Sequence, residues 1–353
     1  MSLWSSMIIT RQCNFVQIEM AAIHEKIFAF IEEGSETSGK ERFNSLALEV
    51  FRFQYENCKP YREFVSLLGT DIEAVDSPEK IPFLPIRFFK SRDVYSATRE
   101  PEKLFTSSAT TGMVPSRHPV ADLSLYELSF TKAFGHFYGN PGEYTILALL
   151  PSYLEREGSS LVYMADRLIN LSGSGHSGFY LYNFEELRTK LEILKKERKK
   201  TLLIGVSFAL LDFVKDYPVD FPELTVMETG GMKGRGIELP REELHRILMN
   251  GFGVKAIHSE YGMAELLSQA YSAGDGIFAT PHWMNVYTRD LSNPLKVTPA
   301  PGRGGLNVID LANVNSCSFI ETEDLVIKET GNLFRIPGRI NNSELRGCNL
   351  LLG

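Results

Sequence analysis

The chain has 353 residues, 43% hydrophobic and 23% charged, with a formal net charge of -7. That is enough apolar sequence for two or more domains with real cores, and the acidic balance without a basic face excludes a nucleic-acid footprint. Cys13, Cys58, Cys317 and Cys348 form no CxxC pair, which argues against a zinc module or a disulfide framework and fits a reducing cytoplasm.

The N-terminal part predicts helices. Phe15, Ile18, Ile23, Ile27, Phe28, Phe30 and Ile31 follow helical spacing over 15–34, and amphipathic stretches follow at 41–57 and 61–68. The segment Ile81-Pro82-Phe83-Leu84-Pro85-Ile86 reads as extended chain, because proline removes a helix donor and clashes with the preceding turn. From about residue 144, short apolar runs at 145–150, 178–181, 202–206, 224–227 and 254–257 alternate with helical patterns at 159–170, 184–198, 208–216, 240–250 and 263–272. The basic run Lys195, Lys196, Lys199, Lys200 falls at a helix end, where cations complement the dipole. Such alternation predicts an α/β fold with a largely parallel, doubly wound sheet, which takes ligands at the carboxyl ends of its strands. Runs at 305–310, 318–322 and 324–328 read as strands without long helices. The expected organisation is a helical region with a lead-in loop (1–100), an α/β core (101–303), and a small β-rich subdomain with a hinge-like tail (304–353). No apolar run reaches about 18 residues and no charged-then-apolar leader is seen, so neither a membrane span nor a signal peptide is expected.

Four stretches carry chemistry. Thr106-Ser107-Ser108-Ala109-Thr110-Thr111-Gly112 is a donor-rich loop suited to phosphates, although a polar surface turn would have the same composition. Glu228-Thr229-Gly230-Gly231-Met232-Lys233-Gly234-Arg235-Gly236 follows a predicted strand, and its four glycines permit close backbone approach to a ligand or simply a tight turn. His258-Ser259-Glu260-Tyr261-Gly262-Met263-Ala264-Glu265 is expected just after a strand. There Tyr261 offers a flat face to a base and Glu265 a hard oxygen for Mg²⁺, unless the acids merely complement a helix dipole. The tail from Gly338-Arg339 to Arg346-Gly347-Cys348-Asn349 is polar and hinge-like, with a thiol beside a cation. A fifth pattern, Gly205-Val206-Ser207-Phe208-Ala209, resembles a strand–turn–helix nucleophile elbow. It opens a serine acyltransferase or hydrolase reading with Ser207 as nucleophile, Asp220 as acid and His245 or His258 as base, or else Ser207 is a helix N-cap.

In this order, the loop 106–112, Gly230-Gly231, Tyr261–Glu265, Asp324 (in Glu321-Thr322-Glu323-Asp324-Leu325) and Gly338-Arg339 resemble the adenylate-forming superfamily of acyl-CoA and aryl-acid ligases. Within it, Ile81–Lys90, Phe105–Ser116, Leu149–Ser160, Gly205–Asp212 and His258–Ala270 are similar to the LuxE-type acyl-protein synthetases, a likeness covering nearly everything after residue 40. Ala109 and Ala264 stand where that family carries Gly and Thr. The resemblance implies ATP and Mg²⁺ as cofactors, with the 106–112 hydroxyls on the phosphates. It places Gly230, Gly231, Tyr261, Gly262 and Met263 around the base, Asp324 on the ribose, Glu265 on the metal and Arg339 on the reacting charge. It also implies a long-chain fatty acid as substrate, no C-terminal lid domain, Cys348 as the acyl acceptor, and an acyl reductase or other acceptor protein as partner. A non-catalytic nucleotide-binding subunit of such a reductase is the alternative.

Overall fold

A computed structural model describes residues 21–34, 39–107, 114–151, 158–230 and 239–340. Residues 108–113, Gly231 and the tail from 341, with Arg346 and Cys348, lie outside these, so the expectations on them have no structural counterpart.

Helical residues 21–33 (α1), Gly39–Asn57 (α2) and Lys59–Leu67 (α3) open the fold. The apolar positions of α2, Phe43, Leu46, Ala47, Val50 and Phe51, point inward at helical spacing. Gln54 ends that stripe with a polar anchor. Its Nε2 donates to the carbonyls of Asn313 and Val314, both at 3.0 Å, and its Oε1 accepts from the Ser318 N–H at 2.9 Å. The proline-punctuated lead-in is extended as expected: β1 (Leu84–Pro85) pairs in parallel with β14 (Phe319–Lys328), and a single helical turn α4 (Phe88–Ser91) follows.

A hairpin of β2 (Lys103–Thr106) and β3 (Arg117–Val120) precedes α5 (Leu123–Tyr138). Then come β4 (Thr145–Leu149), α6 (Ser160–Ser172), β5 (Gly178–Tyr180), α7 (Phe184–Lys196), β6 (Thr201–Val206), α8 (Ser207–Asp216), β7 (Thr225–Thr229), α9 (Arg241–Phe252) and β8 (His258–Tyr261). Strands in the order β5-β4-β6-β7-β8 are all parallel. β4 and β6 are buried along their whole length, as strands covered on both faces must be. The strand order reverses at β4, so the switch point where such sheets bind ligands lies between β4 and β6.

The sheet continues antiparallel through β9 (Ala270–Ser272), β10 (Phe278–Ala279), β15 (Leu333–Arg339), β14, β13 (Gly302–Asp310), β11 (Met284–Arg289) and β12 (Val297–Thr298). The result is an α/β fold with a doubly wound parallel half, an N-terminal helical region and an antiparallel C-terminal part.

Two local expectations are corrected. The strand predicted at 254–257 forms at His258–Tyr261 instead, so this segment is itself the strand rather than the loop after it. The helix predicted at 263–272 is absent: turns at 264–265 lead into β9. The backbone groups a helix would need are taken by distant side chains. The Asp310 carboxylate accepts from the N–H groups of Leu267 and Ser268, both at 2.9 Å, and Asn313 accepts from Leu267 and donates to the Glu265 carbonyl at 2.7 Å. Apolar Leu266, Leu267 and Ala270 gave the helical pattern, but buried hydrogen-bonding groups outweigh propensity.

Candidate nucleotide and acyl site

Tyr261 at the end of β8 reaches Asp324 of β14 and, through it, Arg339 at the end of β15, while Glu265 just beyond β8 reaches Ser116 at the neck of the 107–116 loop. At the loop neck, the Ser116 N–H donates to Ser107 Oγ at 2.8 Å and the Ser107 N–H to the Ser116 carbonyl at 3.2 Å. Thr106 N–H donates to the Gly158 carbonyl at 2.8 Å. Gly158 is required there, since φ is +91° and a Cβ would meet Thr106 Oγ1 at 2.9 Å.

Glu265 is brought to the base of this loop, 5% exposed. Burial pushes its carboxyl up, while the Ser116 side chain and the charges of Lys90 and Arg339 pull it back, leaving it above the usual range. A divalent cation favours the ionised form of such a carboxyl. Among the described residues no group of three or more His, Cys, Asp or Glu could hold a metal. A metal here would therefore rest on Glu265 and on phosphates, a donor set that suits Mg²⁺.

The second cluster links β8, β14 and β15. The Tyr261 hydroxyl donates to Asp324 Oδ2 at 2.7 Å, and Arg339 Nε stands 3.6 Å from Asp324 Oδ1. Asp324 and Arg339 are register partners across β14 and β15, which explains how residues so far apart in sequence from Tyr261 meet it. Burial raises the Asp324 carboxyl, and Tyr261 and Arg339 offset part of that. The Arg339 charge pulls down both the Glu265 and the Asp324 carboxyl. Gly230, at φ +74°, closes β7, and Gly262 and Met263 follow β8.

Ser207 lies elsewhere in chemistry. It begins α8, 1% exposed, and its hydroxyl donates to Glu228 Oε2 at 2.9 Å. Arg241 and His245 approach the other carboxylate oxygen at 2.7 and 3.5 Å. Burial pushes Glu228 up, but His245, Arg241 and Ser259 overcome it and hold the carboxyl below its ordinary value. Glu228 thus stands between Ser207 and His245, and His258 faces Tyr138, so neither histidine is placed to deprotonate the serine. The N-cap expectation also shifts by one residue, since Val206 occupies the cap and makes no side-chain bond.

His118 was not anticipated. It is 1% exposed on β3, with Nδ1 2.8 Å from the Ala264 carbonyl and Nε2 2.9 Å from Ser316 Oγ. The carbonyl can only accept, so Nδ1 carries a proton toward it. Burial lowers its pKa to about 4. The isolated histidine in Arg117-His118-Pro119-Val120 gives no local hint of partners at Ala264 and Ser316. Because the folded value lies below the unfolded one, the unfolded chain takes up this proton first. Stability is therefore present above about pH 6.5 and is expected to fall by on the order of 2–3 kcal/mol as pH drops toward 4. Melting temperatures between pH 7 and 4 should show this slope, and His118→Gln should flatten it; an equal slope in the variant would assign the proton elsewhere.

No protein-family model and no curated protein matches the chain. Solved structures do. An open conformation of 2-hydroxyisobutyryl-CoA ligase, in complex with 2-HIB-AMP and CoA, superimposes with a TM-score of 0.61 at 12% identity, covering 84% of this chain and 73% of that one. The same ligase in its thioesterification state gives 0.62 at 13% identity, covering 87% and 69%, and its postadenylation state 0.60 at 14%, covering 85% and 68%. The chain thus shares the architecture of this ligase. The particular likeness is to a CoA ligase, and at this identity it is a likeness of fold.

Proposed function

We propose that the chain uses ATP to activate a carboxylic acid as its acyl-adenylate and then carries the acyl group as a thioester on Cys348, in the manner of the LuxE-type acyl-protein synthetases. The observation that carries this reading is the meeting of Tyr261, Asp324 and Arg339 beside Glu265 and the neck of the hydroxyl-rich loop, on an adenylate-forming fold.

In this reading Asp324 receives the ribose, and Thr106, Ser107 and the residues through Gly112 surround the phosphates, with Ala109 among them. A carboxylate oxygen of the acid attacks the α-phosphorus; the C–O–P bond forms as the bond to pyrophosphate breaks. Arg339 neutralises charge that grows at the α-phosphate. Mg²⁺ on Glu265 would supply charge neutralisation at the leaving phosphates. The Cys348 thiol then gives its proton to solvent and attacks the acyl carbon, and AMP leaves with the C–O bond electrons. An acceptor protein such as an acyl reductase would receive the thioester.

Two of the other thiols fit the acceptor role poorly. Cys58 and Cys317 are both fully buried, and burial pushes Cys58 up to about 11 and Cys317 well above the usual thiol range. The test is pyrophosphate release with ATP, Mg²⁺ and a panel of acids; no acid-dependent release from any of them would sink the reading. Glu265→Gln should also weaken the melting-temperature shift by Mg-ATP more than that by AMP, because a metal held by Glu265 would neutralise phosphates that AMP lacks. Equal weakening of both would remove Glu265 from the metal role.

A further inference from the structure

The two faces of β7 and β8 are used differently. Glu228 and Ser259 point toward α8 and α9, where Arg241 binds both. The alternate residues Thr229, His258 and Glu260 lie on the other face, which Gln269 and Tyr271 extend through β9 into a polar wall beside Tyr138 of α5. The Thr229 hydroxyl donates to Glu260, and Tyr138 meets His258 at 3.3 Å. Glu260 and Tyr271 are cross-strand partners. The Tyr271 ring packs on Phe137 and Tyr138, with centroids 5.3 and 5.5 Å away. Gly262 makes room for this wall, since a Cβ there would sit 2.2 Å from Glu260 Oε1 and 3.4 Å from Gln269 Cγ.

Two polar atoms of the wall are unmatched. Gln269 and Tyr271 are 4% and 3% exposed, yet Gln269 Oε1 and the Tyr271 hydroxyl have no hydrogen-bond partner among the described residues. Buried polar atoms are nearly always satisfied, and two orphaned on one face call for a buried water or a ligand to complete them. A plain alkyl chain could not do so. The wall also begins at the residue before Tyr261, the tyrosine that reaches Asp324, so it continues from the proposed nucleotide site along the opposite face of β8.

Resting on the adenylation reading, we propose that the activated acid is not a plain alkyl chain but carries a hydrogen-bond donor, a hydroxyl or an amine, which Gln269 and Tyr271 receive. A hydroxyl donates to Gln269 Oε1 while pairing with the Tyr271 hydroxyl; an amine donates to both.

The full chain would be assayed for pyrophosphate release with matched straight-chain acids, unsubstituted or bearing one hydroxyl or one amine at successive carbons. A substituted acid should be preferred by at least about tenfold in kcat/KM, since a site built for a polar group discriminates against the analogue lacking it. Tyr271→Phe and Gln269→Met should each collapse that ratio; should one variant fail to fold, the other carries the test. Which substituted series wins tells hydroxyl from amine. Unsubstituted acids used equally well or better, or a preference that persists at full size in both variants, would overturn the proposal. Melting-temperature shifts by the acids without ATP separate it from the adenylation reading. A shift specific to the substituted acid and lost in the variants, without pyrophosphate release, upholds the polar pocket and sinks adenylation. Release that favours unsubstituted acids does the reverse, and the absence of both sinks the two together.

Discussion

Asp324→Ala is expected to lower kcat/KM for ATP by about 10²–10³-fold while the chain stays folded. Asp324 is the hub of its cluster: Oδ2 takes the Tyr261 hydroxyl at 2.7 Å, and Oδ1 faces Arg339 at 3.6 Å. A charge-assisted hydrogen bond from a ribose hydroxyl is worth about 1.5–3 kcal/mol, and each 1.4 kcal/mol is tenfold. On the proposed reading, truncation removes that bond and also releases Tyr261 and Arg339 from the positions the carboxylate gives them, so the losses compound. Asp324→Asn keeps an acceptor without the charge and should cost roughly tenfold. ATP–pyrophosphate exchange at saturating acid measures both, with thermal melting as the check on folding. An alanine variant within fivefold of the parent would remove Asp324 from the nucleotide site.

Cys348→Ser should abolish retention of the acyl group while pyrophosphate release continues. The last described residue, Ile340, donates its N–H to the Glu323 carbonyl at 2.8 Å, next to Asp324. Cys348 is eight residues further on, and at about 3.3–3.6 Å per residue that length of chain reaches across a nucleotide site. A serine hydroxyl there lacks the thiolate that makes cysteine a nucleophile at neutral pH. With radiolabelled acid and ATP, the parent should retain label that hydroxylamine removes, and the variant none. A variant that labels as fully as the parent would place the thioester on another residue.

Much of this site was legible because its residues sit in short patterns with local meaning. Tyr261, Asp324 and Arg339 stood out from three separate motifs, and the structure brings Tyr261 and Arg339 each within reach of Asp324. Glu265 was legible as an acid, but its setting was not. The helix expected around it gives way to turns, because Asp310 and Asn313, over forty residues later, take the backbone groups of 265–268. The run Asp310-Leu311-Ala312-Asn313, two polar residues in an apolar stretch, was the available signal that buried hydrogen-bonding groups were needed there.

The sequence by itself determined the α/β class and the strand–helix order from β4 to α9, since the periodicities of strands and helices record which side of each is buried. The fully buried β4 and β6 and the amphipathic α6, α7 and α9 follow those patterns to within a residue or two. The tertiary structure alone decided where β8 falls, that Ser207 serves Glu228 rather than a histidine, that His118 braces the Ala264 carbonyl, and that Gln269 and Tyr271 share a buried face. Periodicity states that a side chain is buried, whereas its hydrogen-bond partner is set by contacts between segments far apart in the chain, which no local pattern encodes.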